Sequence, residues 1–329
     1  MPSRACLVAV AYCALGTAAS AQITGLDAIF VSQDTGDIDN IDTATGSSTI
    51  LYVATGMNWN GAAYDAQNGL VYIDDIGSTT YEANKPITNT IYSFNPVTDA
   101  LAEVGTITGQ SAFTGAGFHN GLYYAIGSGS DDLVTYNLSG HSGTGNIAMN
   151  SSQVLGGLGT SGGQTITGVS LGDLDFVGNT LYISAGVVTS TNTNAGISST
   201  YTLYKYTNVN NTSATGMAAN FPISEGTTNV GVGVAYDFNS GKLIMFNDQV
   251  TNDAGSIWQI NQTNGAQTKL GTLTGPAAAG GAGDWTIVPE PSTYAFWSMI
   301  LVFGLVFSHR ALRYRQEGLS GDEISENDG

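Results

Sequence analysis

Positive charge is nearly missing from the long middle of this 329-residue chain. From Gln22 to Val288 there are four lysines, Lys85, Lys205, Lys242 and Lys269, and no arginine, against 17 aspartates and 3 glutamates. That stretch carries −16 of the chain's net −18. Binding a phosphate backbone needs clustered cations that displace counterions, so a nucleic-acid partner is excluded, and a cation-lined anion site with it. Cysteine is absent from the same stretch, because Cys6 and Cys13 both fall in the first 15 residues. The body therefore has neither disulfides nor thiol chemistry. Histidine is reduced to His119 and His141 there, which argues against a zinc site and leaves little for a Ser-His-Asp arrangement; no nucleophile elbow is present. Only 10% of the chain is charged, against roughly 25% ordinarily, so uncharged polar groups must supply solubility. Proline, 7 residues, is too scarce for a proline-rich linker, and no helical period stands out in the body.

Glycine is abundant: 44 residues, nearly twice the roughly 7% of ordinary chains. It punctuates two recurring phrases. The first is a glycine-led strand, a turn and a second strand, at Gly61 to Tyr72, Gly115 to Tyr124, Gly168 to Tyr182 and Gly233 to Ile244. The second is an alternating strand closed by an Asn/Asp/Thr-Gly turn, at Ile38 to Gly46, Ile91 to Asp99, Leu133 to Gly140, Leu203 to Asn211 and Ile257 to Gly265. Period-two alternation with such turns marks antiparallel hairpins, and spacings of 53, 42, 70 and 54 residues between the second phrases suit a four-stranded blade. An all-β propeller follows, since radial repetition protects sheet edges that a linear array exposes. Blades beginning near Gly61, Gly115, Gly168 and Gly231 make four. Strands at Ala28 to Gln33, Ile38 to Asp42 and Thr49 to Ala54, joined by Gly281 to Val288, make a fifth closed by both ends of the body. Six blades are the alternative if the long third repeat hides further strands. A β-sandwich or solenoid competes, though unequal spacing disfavours a strict solenoid.

The two ends read as export elements. Residues 1–21 have a positive start at Arg4, an apolar run from Ala5 to Leu15 and the small-residue end Ala19-Ser20-Ala21. This is a secretory signal with cleavage before Gln22. At the other end, Val288-Pro289-Glu290-Pro291 precedes an apolar run from Tyr294 to Phe307 and the cations Arg310, Arg313 and Arg315. A helix over about 292–308 would make a short membrane span, with the arginines on the cytoplasmic side and the body outside.

This last arrangement resembles the PEP-CTERM sorting signal of Gram-negative bacteria, Pro289-Glu290-Pro291 standing where the naming motif stands. The resemblance covers Val288 to Arg315. It implies an exported protein held in the inner membrane by its C-terminal helix until an exosortase, a membrane-embedded cysteine protease-transpeptidase, processes it near the motif; the destination is then the cell surface or beyond. The bodies behind such tails are very varied, often in organisms making exopolysaccharide. One departure is the continuation from Gln316 to Gly329, which adds five acids and no cation and reads as a disordered acidic tail. The expected layout is signal peptide 1–21, propeller body 22–287, sorting and anchor segment 288–315 and tail 316–329.

Candidate chemistry in the body is thin. Glycan hydrolysis needs two facing carboxylates with separated pKa values, and the body offers only Glu82, Glu103 and Glu225 beside its aspartates. Asp65, Asp173, Asp175 and Asp237 lie on or near the inner-strand phrase and are expected mostly to cap turns; His119 occupies the column of Asp65 and Asp237 and is expected to do likewise. Asp34 to Asp42 packs four acids into nine residues, either a solvated hairpin or an oxygen-rich calcium loop, without the EF-hand spacing. Trp59, between Asn58 and Asn60, is the expected glycan contact, Tyr64 and Tyr236 lesser ones, while Trp258 and Trp285 belong to the core. Asn137, Asn150, Asn210, Asn211 and Asn261 begin Asn-x-Ser/Thr sequons. The expectation is thus an exported, non-enzymatic binding or structural module with no metal and no cofactor, its partners an exosortase, the inner membrane and exopolysaccharide. A secreted propeller enzyme acting on polysaccharide is the alternative.

Overall fold

Alternating apolar residues between glycine-bearing turns produce a chain of antiparallel strands. The computed structural model describes residues 27–33, 35–77, 86–127, 132–155, 160–161, 164–165, 172–188, 199–207, 215–221, 232–237, 241–247, 255–278 and 283–288. All of them belong to one compact unit, Ile23–Pro289. The strands are β1 (Asp27–Ser32), β2 (Asp37–Asp42), β3 (Ser48–Val53), β4 (Trp59–Asp65), β5 (Leu70–Asp75), β6 (Ile87–Asn95), β7 (Ala100–Gln110), β8 (Phe113–His119), β9 (Leu122–Gly127), β10 (Asp132–Tyr136) and β11 (Met149–Val154). After them come β12 (Thr160–Ser161), β13 (Gln164–Thr165), β14 (Gly172–Val177), β15 (Thr180–Val188), β16 (Ser199–Tyr206), β17 (Thr215–Phe221), β18 (Val232–Asp237), β19 (Lys242–Asn247), β20 (Ser256–Ile260), β21 (Gln267–Thr272) and β22 (Gly283–Val288).

Five four-stranded antiparallel sheets result: β4 to β7, β8 to β11, β14 to β17, β18 to β21, and β22-β1-β2-β3. The innermost strands β4, β8, β14, β18 and β22 pack against one another in that order, and β22 returns to β4. This is a five-bladed propeller. Its closing blade joins the first three strands to the last, with Asp27 opposite Val288 and Ser32 opposite Gly283, as the sequence phrasing predicts. We number that blade one and the others two to five in chain order. The long third repeat does contain an extra element, but it is the two-residue ribbon β12-β13 and not a sixth blade. Its described inner strand, Gly172–Val177, has Asp173 and Asp175 on the strand and not in the expected turn.

The core lies in the seams between blades. Ile29, Trp59, Ile73 and Phe94 fill the first seam, Ile91, Phe113, Tyr123 and Tyr136 the second, and Ile126, Leu174, Phe176 and Ile183 the third. Leu203, Val234 and Met245 pack the fourth, and Phe30, Phe246, Trp285 and Ile287 the fifth. Each blade buries both faces, so burying apolar area holds the ring shut as a whole.

The second phrase owes its recurrence to one device. Asp42 Oδ1 accepts the Ala44 and Thr45 N–H at 2.8 and 3.2 Å, and Asn95 Oδ1 those of Val97 and Thr98 at 2.9 and 3.2 Å. Asn137 Oδ1 takes Ser139 N–H at 3.0 Å, and Asn261 Oδ1 takes Thr263 N–H at 2.9 Å. These Asx turns cap the hairpin between the third and fourth strands of their blades. Gly46 and Gly265 then turn the chain with φ of +76° and +73°. An outer edge is also covered: in a strap from blade three, Ile147 N–H donates to Thr106 O at 2.7 Å on β7, and Thr106 N–H donates to Gly145 O at 2.9 Å. Such cover blunts strand addition by another chain.

The segments expected to be signal peptide, sorting motif, membrane helix and acidic tail, including Ala19, Ala21, Gln22, Pro289, Glu290, Pro291, Arg310, Arg313 and Arg315, lie outside the described residues.

Candidate functional site: the acidic hub

Pairing registers align the inner strands of four blades so that Gly115, Asp173, Gly233 and Asp284 share one level, opposite Ile126, Ser184, Phe246 and Val31 of the second strands. In blade two a bulge puts Asn60 opposite Asp74, with Gly61 beside it. The level thus holds glycine in three blades and aspartate in two. The glycines are there for close approach. A Cβ on Gly233 would stand 2.1 Å from Trp285 Cδ1, and one on Gly115 2.4 Å from Asp173 Cα, far inside contact distance.

The two aspartates fill this level by bridging blades. Asp284 Oδ2 accepts the Ala62 N–H of blade two at 2.7 Å, and its Oδ1 the Trp285 N–H at 2.9 Å. Asp173 Oδ2 accepts the Val234 N–H of blade five at 2.8 Å, and its Oδ1 the Leu174 N–H at 2.6 Å. Asp175 repeats the pattern two residues on, accepting Tyr236 N–H at 2.5 Å and Phe176 N–H at 2.7 Å. An innermost strand has one unpaired edge, and these carboxyls satisfy donors on it that burial would otherwise leave orphaned.

Asp173 and Asp284 are 3% and 1% exposed, and each carboxyl influences the other's titration. Burial, then the charge of Asp284, holds Asp173 well above the usual carboxylate range. Burial pushes Asp284 up to about 7 against its hydrogen bonds from Trp285 and Ala62. Burial thus favours the protonated form of each carboxyl. Asp175 is also raised to about 7 by burial, opposed by the Tyr236 and Phe176 N–H groups.

Around the pair stand Tyr123, Tyr136 and Asp74. Tyr123 Oη donates to Gly61 O at 2.6 Å; burial raises it, and the charges of Asp74, Asp284 and Asp173 add to that. Asp74 is fully buried, and neither carboxyl oxygen has a hydrogen bond of ordinary geometry. Burial, then the charge of neighbouring Asp75, holds it well above the usual carboxylate range, offset in part by the Phe113 backbone N–H. The Tyr136 hydroxyl is buried without a partner, raised by burial and by Asp74.

Chemically the hub binds protons and backbone amides. The Asp173 and Asp284 oxygens each already accept an N–H, and neither carboxyl is open to a substrate, which a glycosidase pair must be. Among the described residues no three His, Cys, Asp or Glu side chains are grouped to hold a metal ion.

Several expected residues stand elsewhere. Trp59, the expected glycan contact, is 0% exposed. It lies in the first seam, its Nε1 donates to Gly36 O at 2.7 Å, and its ring meets Tyr92 edge-on at 5.4 Å. A stacking platform needs an open ring face, so Trp59 is a core pillar and not a platform. Tyr64 and Tyr236 are half-buried against the first and fourth seams. Trp285 is core as expected, stacked on Phe246 at 4.4 Å, while Trp258 is partly buried with Lys269 over its ring at 5.8 Å.

Asp65 does cap its turn, accepting Gln67 N–H at 2.9 Å, whereas Asp173 and Asp175 bridge strands instead. His119 ends β8 half-buried, stacked on Phe176 at 4.7 Å and hydrogen-bonded to Asn179 Oδ1 at 3.2 Å; burial lowers its pKa. His141 is exposed, and Glu103 lies on the outer strand β7. In the Asp34 to Asp42 stretch, Asp42 caps a turn while Asp39 is buried on β2 and raised to about 7 by burial; Asp34, Glu82 and Glu225 lie outside the described residues. Asp284, Asp74, Tyr123 and Tyr136 were not singled out from the sequence. Aligning the inner-strand phrases shows the signal for Asp284, an acid in a column of glycines.

No protein-family model matches the chain, and no curated protein matches it. Among solved structures it is similar to a chain of a nidogen/laminin complex, with 12% identity and a TM-score of 0.46 over 81% of this chain and 99% of that one. It is also similar to a periplasmic gluconolactonase of Pseudomonas aeruginosa, with 11% identity and a TM-score of 0.43 over 74% and 82%.

Proposed function

We propose that the chain is an exported cell-envelope protein of a Gram-negative bacterium whose five-bladed propeller is a non-enzymatic binding or structural module. Its C-terminal segment, 288–315, is an exosortase substrate that anchors it in the inner membrane until processing releases it to the surface or beyond. What supports the modular reading is the use made of the hub acids: Asp173, Asp175 and Asp284 each accept a backbone N–H from a neighbouring blade. These groups serve ring closure, and a catalytic carboxylate must instead be free to exchange protons with substrate. What supports the sorting reading is the order of Pro289-Glu290-Pro291, the apolar run and Arg310, Arg313 and Arg315. The body's cation-poor, Asn/Thr-rich surface suits a neutral polysaccharide partner better than an anionic one, and exopolysaccharide is the ligand class we assign.

Replacing Pro289, Glu290 and Pro291 together by alanine is expected to leave an unprocessed, membrane-held form on immunoblots of cell fractions. Unchanged processing overturns the sorting assignment. For the body, retention on polysaccharide without release of reducing sugar is expected; turnover abolished by one carboxylate change overturns the modular reading.

A further inference from the structure

Trp59 is enclosed in the first seam and Trp285 in the fifth, at 0% and 1% exposure. The third described tryptophan, Trp258, is half-buried. It stands on β20 in a cross-strand row, Val234, Met245, Trp258 and Lys269, that runs from the innermost to the outermost strand of blade five. Val234 and Met245 are core of the fourth seam, together with Tyr182 and Leu203 of blade four, and Trp258 packs at the edge of that cluster. Beyond it, exposed Lys269 holds its Nζ over the indole ring, 5.8 Å from the centroid. What covers the outer part of the ring is thus an ammonium on a flexible stem, which can swing away, and not packed core.

A second ammonium stands at the same seam. Lys205 of blade four lies over the Tyr182 ring at 5.6 Å and reaches across to blade five, donating to Gln262 O at 3.1 Å, two residues past the end of β20. Gln262 Nε2 in turn donates to Gly241 O at 3.0 Å. These two lysines are half of the four in a body with 17 aspartates and 3 glutamates, an excess in which carboxylates are expected to take up every ammonium. Among the described residues, however, neither Lys205 nor Lys269 has a carboxylate partner, and the Trp258 Nε1–H has no acceptor. An aromatic face and several uncommitted donors therefore meet at one outer seam.

We propose that the outer part of the seam between blades four and five, at Trp258 with Lys269 and Lys205, is a carbohydrate subsite that takes a neutral hexose unit of a polysaccharide, a site that rests on the polysaccharide-binding reading of the body. The electron-rich ring face that draws the Lys269 ammonium draws the electropositive C–H face of a pyranose in the same way. When the sugar stacks, the ammonium leaves the ring and joins Lys205 and the indole N–H in donating to sugar hydroxyls; a lysine offers three donors and no acceptor. Charge selects a neutral chain. Two ammoniums in a body of −16 leave a polyanion repelled at range, whereas a neutral chain meets no such barrier. Tyr182, Leu203 and Ile260 fill the seam beneath, so the polysaccharide lies along the outside of the ring.

The test is retention of the full chain, in non-ionic detergent, on beads bearing galactomannan or β-glucan as neutral polymers and alginate as the acidic one, at low and high salt. The wild type is expected to bind a neutral polymer with little salt dependence. Trp258→Ala should weaken that binding about tenfold or more, as truncation of an aromatic anchor does, while Trp258→Phe keeps most of it. Wild-type retention on a neutral polymer that Trp258→Ala matches leaves the polysaccharide reading standing and overturns the subsite. Retention on alginate alone, lost at high salt, overturns the neutral-sugar assignment. No retention on any of the three overturns the polysaccharide reading and the subsite with it. Should Trp258→Ala fail to fold, the wild type is read instead: the neutral polymer that retains it should slow oxidation of Trp258 by N-bromosuccinimide, followed by peptide mass, and unchanged oxidation overturns the subsite.

Discussion

Replacing Asp284 by alanine removes the acceptor for two buried N–H groups, Ala62 at 2.7 Å and Trp285 at 2.9 Å. An orphaned buried donor costs about 1–3 kcal/mol, so the pair costs about 4 kcal/mol at the centre of that range. This is a large share of the roughly 5–15 kcal/mol by which a domain is stable. In a body of this size each kcal/mol moves Tm by about 2–4 °C, which puts the loss at roughly 8–16 °C. Asp284→Asn keeps one acceptor oxygen and turns an amide donor toward the other N–H, so about half that loss is expected. Asn261→Ala is the control: it deletes an exposed Asx-turn acceptor, and surface changes of that kind stay near 0.5 kcal/mol. The assay is thermal unfolding followed by circular dichroism at pH 6. If Asp284→Ala melts with Asn261→Ala, the hub carboxyl does not close the ring and the reasoning fails.

Stability should fall as pH rises. Burial holds Asp39, Asp175 and Asp284 up to about 7, so between about pH 4 and 7 the native state keeps protons that the unfolded chain releases. Their contribution is present in full below about 4 and is lost as pH rises through about 7, at up to about 1.4 kcal/mol per unit for each proton; the urea midpoint should be higher at pH 5 than at pH 8, and the opposite order refutes this. Trp59→Ala should cost about 3–5 kcal/mol as a buried aromatic truncation, read from denaturant melts, while Trp59→Phe in folded protein leaves polysaccharide retention unchanged. Gly233→Ala forces a Cβ into Trp285 and should cost at least about 1–3 kcal/mol, whereas Gly271→Ala, with no atom within 4 Å, should be nearly neutral in the same melts.

Much of the fold was legible because a propeller repeats its local chemistry. The Asx turns at Asp42, Asn95, Asn137 and Asn261 leave the same mark in blades one, two, three and five, and the strands between them alternate strictly enough to be bounded within a few residues. Where the repeat stretches, the reading of single residues slipped: Asp173 and Asp175, expected in a turn, stand on β14. Trp59 was misplaced for a related reason. A tryptophan between two asparagines looks the same in sequence whether its ring faces solvent or a neighbouring blade, and here Gly36 O and Tyr92 from sequence-distant strands enclose it.

By itself the sequence determined the kind of object this is. Arginine confined to the two ends sets them apart from a cation-poor body, and strand periodicity with turn chemistry is local, so it dictates all-β blades and even which strands close the ring. The hub was decided only by tertiary structure. Asp74, Asp173 and Asp284 are far apart in the chain, and nothing local to any of them says that the ring buries all three. Burial there makes Asp173 and Asp284, acids of a type that ordinarily caps turns, into bridges to the backbone of neighbouring blades, and burial is a property of the closed ring, not of any segment within it.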